Sequence, residues 1–435
     1  MDSHGVESLI LEDIAQVVYA PAKAFKKIIE NPKYLGALIV LLLFIGLQVG
    51  YEYAQFSHTY TENTSPSIDQ LSNYINATSG NWRSGAGVNI TNNFSDPFNY
   101  SVYVAALGTT PSDQTGYYSI FGNSSMEIDA NNISPVSAAL GDAFNVSCLS
   151  NGFENFSMTV KTVQVAPLTS TLTFYSVNDS NYYTYDLTSL LSNTSVINQW
   201  NNITLSIGPS AQGWTVGGGS PSWGNITALK LDFTYPSNTN AAIRIGALFF
   251  HGEYQSPVQY NSTGLLLQFL QVFSLQFIFS WFLLTGLFYI FFKGLKANTT
   301  WKPLFVALAF ALFIMVIRAA VNLAAAAASP VVYYPYDISL GVRFDSYGTV
   351  FYPPEAVGVL TAQSQAAYST INGLTSALRF VTSSIFVVSY VWLGAIGTVI
   401  VGTLQPEFSL IKRIVISAVS IAVTLLVLLL LVGVV

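Results

Sequence analysis

Five long apolar runs limit what this chain can fold into more than any other feature. Crossing roughly 30 Å of hydrocarbon takes about 20 helical residues, and every backbone amide must be satisfied within the segment. Stretches 34–53, 265–292, 304–326, 375–402 and 414–434 meet that requirement. The second and fourth are longer than needed, so tilt or an interfacial extension is expected. Only 9% of the residues are charged, against about 25% in an average soluble domain. The fold class expected is an α-helical membrane bundle of five spans, with a domain over 54–263 inserted between the first two.

The first run reads as an uncleaved signal anchor rather than a signal peptide. More than thirty residues precede it, and Gln48, Tyr51, Glu52 and Tyr53 occupy the place of a small-x-small cleavage site. Lys/Arg bias sets orientation. Lys23, Lys26, Lys27 and Lys33 precede the first run, Lys293, Lys296 and Lys302 separate the second from the third, and Lys412 and Arg413 separate the fourth from the fifth. All lie on one side if residues 1–33 are cytoplasmic. Arg83, Lys161, Lys230, Arg244 and Arg343 are then spread over the much longer outer segments, 54–263 and the loop 327–374.

The outer assignment of 54–263 agrees with its sequons. Asn-x-Ser/Thr occurs at Asn63, Asn76, Asn89, Asn93, Asn99, Asn123, Asn132, Asn145, Asn155, Asn178, Asn193, Asn202, Asn225 and Asn261. These are 14 of the 24 asparagines from 57 to 263, a clustering beyond what local Ser/Thr frequency supplies; the other reading is a Ser/Asn-rich surface with chance matches. Asn298 falls in an inner loop and is expected to stay unmodified.

Within 54–263, alternation at 156–165, 170–177, 202–207, 225–235 and 242–250 is the half-buried strand pattern. Leu229, Leu231, Phe233 and Tyr235 share one face, with Lys230, Asp232 and Thr234 on the other. Short strands with Gly, Pro, Asn and Ser turns point to an all-β sandwich. The weakly patterned stretch 57–97 reads as a stalk or irregular edge. The region from Trp200 to Tyr254, with Gly213-Trp214, Ser222-Trp223 and a closing strand before Gly252, resembles the end of a galactose-binding-like or carbohydrate-module jelly roll. That resemblance implies ligand loops at one end, binding sugars or peptides. Trp82, Trp200, Trp214 and Trp223 are candidates for stacking on sugar rings, or else core residues of the sandwich.

Other chemistries lack their residues. With Cys148 alone no intramolecular disulfide forms, as expected of an archaeal surface protein or one stabilised by size. His4, His58 and His251 are far apart, so no zinc or haem spacing exists. No D-x-D-x-D loop supports calcium, and no basic footprint supports nucleic acid. G-x-S-x-G, P-loop and H-E-x-x-H motifs are absent, and three scattered histidines give no argument for a Ser/His/Asp triad. The expectation is a non-enzymatic protein without a cofactor.

Before the first run, Pro21 to Pro32 reads as a short amphipathic helix with Phe25, Ile28 and Ile29 on one face; a plain basic flank is the other reading. Here the chain resembles the Ypt/Rab-interacting protein (YIP) family of five-span membrane proteins. The features are Pro21…Phe25…Ile28…Asn31-Pro32, the approach Thr300-Trp301-Lys302-Pro303-Leu304-Phe305, the fourth-run end from Trp392 to Ile400, and the 404–413 loop into a Leu/Val-rich last run. The resemblance covers the spans and not the inserted domain, and implies an inner N-terminus and outer C-terminus. The Asp-Leu-x-Gly-Pro-Leu signature is missing, so recruitment by small GTPases is not implied.

Gly46-x-x-x-Gly50 permits close helix approach, within the chain or in self-association. Arg318, Asn322 and Arg379 are intramembrane polar residues that either snorkel to the outer interface or mark a functional site. Gln48, Gln268, Gln271 and Gln276 suit interhelical hydrogen bonds. The Tyr/Pro-rich loop after 327 is expected along the membrane surface or under the sandwich. The reading is a YIP-like membrane protein with an external binding or scaffold domain; the alternative is a carbohydrate-binding or adhesion receptor anchored by its helices. Partners expected are the bilayer, a glycan or protein ligand, and other membrane proteins or a second copy.

Overall fold

The computed structural model describes residues 15–66, 81–93, 95–96, 101–104, 116–119, 125–141, 144–192, 197–297, 299–336, 343–344, 350–351 and 362–432. Asn76, Asn99, Asn123, Asn193 and Asn298 lie outside them. Among the described residues, five helices are long and apolar enough to cross a membrane, and two largely antiparallel sheets are built mostly from the segment between the first two.

The first four helices run past their expected ends, and the last four begin earlier than expected. The first is Tyr34–Ser57 and the second Pro257–Gly294. The third is Trp301–Ala311 followed by Phe313–Ala327, interrupted at Leu312; the fourth is Ala362–Leu404 and the fifth Leu410–Val432. Hydropathy detects only the apolar centre of a helix, whereas caps set its ends. Ser256 and Gln259 form a capping box ahead of Pro257. The backbone breaks at Asn261, whose side chain accepts from Gly264 N at 3.2 Å. The apolar part of the second helix therefore starts at its own Asn cap.

The third helix is the centre of the bundle. Leu304 through Ala311 are all buried, as expected of a helix apolar on every side. The first, second and fourth pack on it, the fifth packs on the second and fourth, and all four expose apolar faces, including Leu42, Leu267, Val391 and Leu430. Trp281 of the second helix stacks on Phe305 and donates to its carbonyl at 2.7 Å. Phe310 packs so close over Gly36 that a Cβ there would overlap the ring. The short helix Pro21–Glu30 forms as expected, but Ala24, Phe25 and Ile28 are buried in the bundle core rather than left for lipid.

The inserted domain is a sandwich. One sheet carries β8 (Asn155–Thr162), β11 (Asn201–Ser206), β14 (Asn240–Gln255), β1 (Thr59–Ser65), β6 (Ser125–Asn131), β3 (Val88–Asn93) and the late strand β15 (Val332–Tyr334). The other has the order β12 (Trp214–Gly218), β10 (Asn178–Asp186), β9 (Thr169–Ser176), β13 (Ile226–Thr234), β7 (Val136–Leu140) and β2 (Trp82–Ser84). Between them lie Met126, Ile128, Phe156, Val160 and Ile243 from one sheet and Leu172, Phe174, Leu229, Leu231 and Phe233 from the other. Phe250 meets the rings of Phe144, Phe153, Phe156 and Phe174.

Two expectations need correcting. The stretch 57–97 is no stalk in its described parts: it supplies β1, β2 and β3, with Trp82 and Val88 in the core, and β2 and β3 form edges of the two sheets, as the other reading of this stretch had it. The segment after the third helix does not merely lie beneath the sandwich but joins it, with Val332–Tyr334 parallel to Thr59–Thr61. β14 is the spine of the domain. Its first half pairs with β6 and its second with β1, so the strand leaving the first helix and the strand entering the second are hydrogen-bonded neighbours.

Candidate functional site

Period-two alternation turns one side chain in two of the six-stranded sheet away from the core. The register aligns Thr215, Thr184, Thr173, Lys230, Ala139 and Arg83 in one row across all six strands. Beside it Tyr182 opposes Tyr175, and on the other side Thr171, Asp232 and Ser137 follow in line. The two tyrosine rings are 5.9 Å apart, edge to face, and the Tyr182 ring lies across Gly217 and Gly218, where any Cβ would collide with it. Thr184 and Thr215 share a hydrogen bond of 2.7 Å; Lys230 pairs with Asp232 at 2.9 Å, and Ser137 donates to the same carboxylate. Burial pushes the Tyr175 phenol up, with Asp232 and Asp179 adding to the shift and Lys230 opposing it. The face thus offers two aromatic rings and a band of hydroxyl and charged groups.

The tryptophans take a different place. Trp82 and Trp223 are buried, Trp223 stacked on Tyr183 at 4.1 Å. Trp214 is half-buried against Phe174 and donates from Nε1 to Ser206 O at 2.9 Å. Trp200 is half-buried with the Lys161 ammonium over its ring at 5.9 Å. Three of the four therefore pack the sandwich. Tyr182 was missed because Asn178–Asp186 (NDSNYYTYD) has no apolar alternation, where a Tyr-Tyr-Thr-Tyr run was the available signal; Tyr175 lies in the strand that alternation at 170–177 does reveal, on its outward side.

Asn89, Asn93, Asn155 and Asn202 stand on the outward side of the seven-stranded sheet, alternating with inward Val88, Ile90, Phe156 and Ile203. Asn63 is half-buried in β1. Asn132, Asn145 and Asn225 lie in connections, Asn261 caps the second helix, and Asn178 opens β10 at the end of the six-stranded sheet.

A second polar array crosses the base of the seven-stranded sheet. His251 Nδ1 meets Glu62 Oε1 at 2.9 Å and its Nε2 meets Ser157 Oγ at 2.8 Å, while Glu62 Oε2 accepts from Tyr336 N at 2.8 Å. Serine, histidine and carboxylate in series is the arrangement of a nucleophile relay. Ser157, however, sits in the middle of β8, a strand laddered to β11 on one side and β14 on the other. Its neighbouring amides are committed to those ladders, so they do not converge as an oxyanion hole. The array ties β1, β8, β14 and the β15 segment together, and the Tyr336 ring covers Phe249 and His251.

The third polar assembly lies among the helices, at the end that carries the sandwich. A cavity of about 720 Å³ is bounded by the first helix (Gln48, Glu52), the second (Gln276), the third (Arg318, Asn322) and the fourth (Arg379, Phe386), and roofed by His58, Thr59, Val332 and Tyr334. It brings together Arg318, Asn322 and Arg379. The Arg318 guanidinium lies 4.6 Å from the Phe386 ring centroid and 6.0 Å from that of Tyr390. A smaller recess of about 50 Å³ shares Gln48, Gln276 and Arg318. Glycines 46 and 50 behave differently: a Cβ at Gly50 would meet Leu323 at 3.4 Å, whereas Gly46 faces open space.

No protein-family model matches the chain, and no curated protein matches it. Solved structures similar to it include a family 11 carbohydrate-binding module from Clostridium thermocellum in complex with a beta-1,3-1,4-mixed-linked tetrasaccharide, at 13% identity over 39% of this chain and 88% of that chain, TM-score 0.23. Another is the CBM22-1 xylan-binding domain from Paenibacillus barcinonensis, at 16% identity over 41% of this chain and 90% of that one, TM-score 0.22. At such TM-scores they say nothing about what this chain binds.

Proposed function

We propose that the chain is a multi-pass surface protein whose outer sandwich binds a glycan on the outward face of its six-stranded sheet. One contrast carries this reading. Among the described residues, Asn89, Asn93, Asn155 and Asn202 face outward across the seven-stranded sheet, while the row from Thr215 to Arg83 has no sequon and holds Tyr175 and Tyr182 beside it; Asn178 stands beyond them at the start of β10. Attached glycans would then screen the first face more heavily than the second. A tyrosine face suits the apolar face of a pyranose, and the flanking Thr, Lys and Asp side chains suit its hydroxyls. Orientation rests on the inner Lys/Arg cluster. Lys302 lies over Tyr34 and Lys293 over Tyr289 at the bundle end away from the sandwich, the pattern of an interfacial belt.

The test is glycan-array binding by the full chain in detergent. Saturable binding that falls at least about tenfold in the Tyr175→Ala/Tyr182→Ala double variant, with melting unchanged, is the expected result. Absence of binding, or equal binding by the variant, would sink the reading. The docked helix Pro21–Glu30 favours a second one, a YIP-like scaffold for other membrane proteins, for which co-purifying membrane partners rather than glycans are expected.

A further inference from the structure

The cavity among the helices has features the glycan reading does not use. Arg318 stands nine residues before the end of the third helix at Ala327, about 14 Å deeper along the axis at 1.5 Å per residue. A charge at such depth needs a partner. Among the described residues Arg318 makes no ion pair; its guanidinium lies against the rings of Phe386 and Tyr390 and hydrogen-bonds the Tyr390 side chain. One turn further out, Asn322 lines the same cavity at 4% exposure, and its Oδ1 has no hydrogen-bond partner. An unpaired buried amide oxygen is destabilising unless something donates to it. The rest of the lining is mixed: Phe273, Leu374, Leu378, Val381 and Val387 are apolar, Thr375, Thr382 and Ser383 are polar, and Glu52 and Arg379 are charged.

We infer that this cavity binds an anionic amphiphile, a phosphate or carboxylate bearing a hydroxyl and joined to a hydrocarbon chain. Each part of that description answers a group on the wall. The oxyanion pairs with the guanidinium, whose planar fork suits two oxygens. The hydroxyl donates to Asn322 Oδ1, and the amides of Gln48 and Gln276 flank the head at the entrance to the smaller recess. The chain lies along the fourth helix against Leu378, Val381 and Val387. The volume, about 720 Å³, falls within the range of small-molecule sites. A membrane lipid and a soluble acid could both present this chemistry, and the experiment separates them.

Thermal unfolding of the full chain in a neutral detergent is followed with three additions: dioleoyl phosphatidylglycerol, dioleoyl phosphatidylcholine and inorganic phosphate. Phosphatidylglycerol, which carries both the anion and free hydroxyls, is expected to raise Tm, while the other two leave it unchanged. Arg318→Gln should weaken that response at least about tenfold in midpoint concentration, with Asn322→Leu weakening it less. If Arg318→Gln is not monodisperse, Leu378→Trp, which fills the apolar wall without changing charge, gives the same readout. Equal shifts from phosphatidylcholine, or a response untouched by Arg318→Gln or by Leu378→Trp, would overturn the assignment. An equal shift from inorganic phosphate would overturn the hydrocarbon part and make the site one for a free anion.

Discussion

Asp96 shows how much one residue can hold in a domain without disulfides. Its carboxylate takes Lys161 at 2.7 Å and also the Arg244 guanidinium, which in turn binds Glu127. Burial pushes the Asp96 carboxyl up, but the bonds from Lys161 and Arg244 outweigh it and hold the group below its ordinary 3.8. The unfolded chain therefore takes up this proton at higher pH than the folded one. The stabilisation is complete above about pH 4 and is lost as pH falls through the lower folded value. Asp96→Asn should cost about 2 kcal/mol near neutrality. The Tm gap between wild type and variant should close below pH 4, and a gap constant down to pH 2 would contradict this account. Such a cluster is invisible in sequence, since Asp96 is 65 residues from Lys161 and 148 from Arg244. The same is true of Glu62 and His251, 189 residues apart. The three histidines gave no metal or triad spacing, and nothing local announced that one would join a carboxylate and a serine.

Among the elements, alternation revealed the strands that keep one apolar face. Ile226–Thr234 was readable because Leu229, Leu231 and Phe233 face the core while Lys230 and Asp232 face out. Thr59–Ser65 (TYTENTS) was not, having no apolar face to show. It is a strand because both of its edges are occupied, by β14 on one side and β15 on the other. The cavity stayed hidden for a related reason: its polar groups come singly from four helices, each of which reads as lipid-compatible alone. β15 is the weakest of these joints, three residues long, anchored where Val332 N donates to His58 O at 2.8 Å. Val332→Pro removes that donor and should release the strand. Hydrogen exchange should then rise at Thr59–Thr61 and at Tyr333 and Tyr334, while Ser125–Asn131 keeps its protection on β14. Unchanged exchange at Thr59–Thr61 would mean that β15 contributes nothing to holding β1.

For the whole molecule the deciding question is which way the bundle faces, because both proposed sites depend on it. A sandwich on the outer side can meet external glycans and be glycosylated; turned inward it can do neither, and the cavity would open to the inner leaflet. Nine Lys/Arg residues lie in the short segments, and the structure gathers the helix Pro21–Glu30, Lys302 and Lys293 at the bundle end opposite the sandwich. The chain itself supplies a clean background for testing this. Cys148 is its sole cysteine, 3% exposed in the sandwich core, and burial pushes its thiol up to about 12. The thiolate is the reactive species, so the native residue should ignore a maleimide at pH 7. Ser84→Cys places an exposed thiol on β2, and Ser409→Cys places one in the turn between the fourth and fifth helices. On intact cells a membrane-impermeant maleimide should label the first at once and the second only after permeabilisation. The reverse order would invert the topology, remove the glycan-binding reading and reassign the cavity to the inner leaflet. Labelling of both without permeabilisation would show that the helices do not separate two compartments at all.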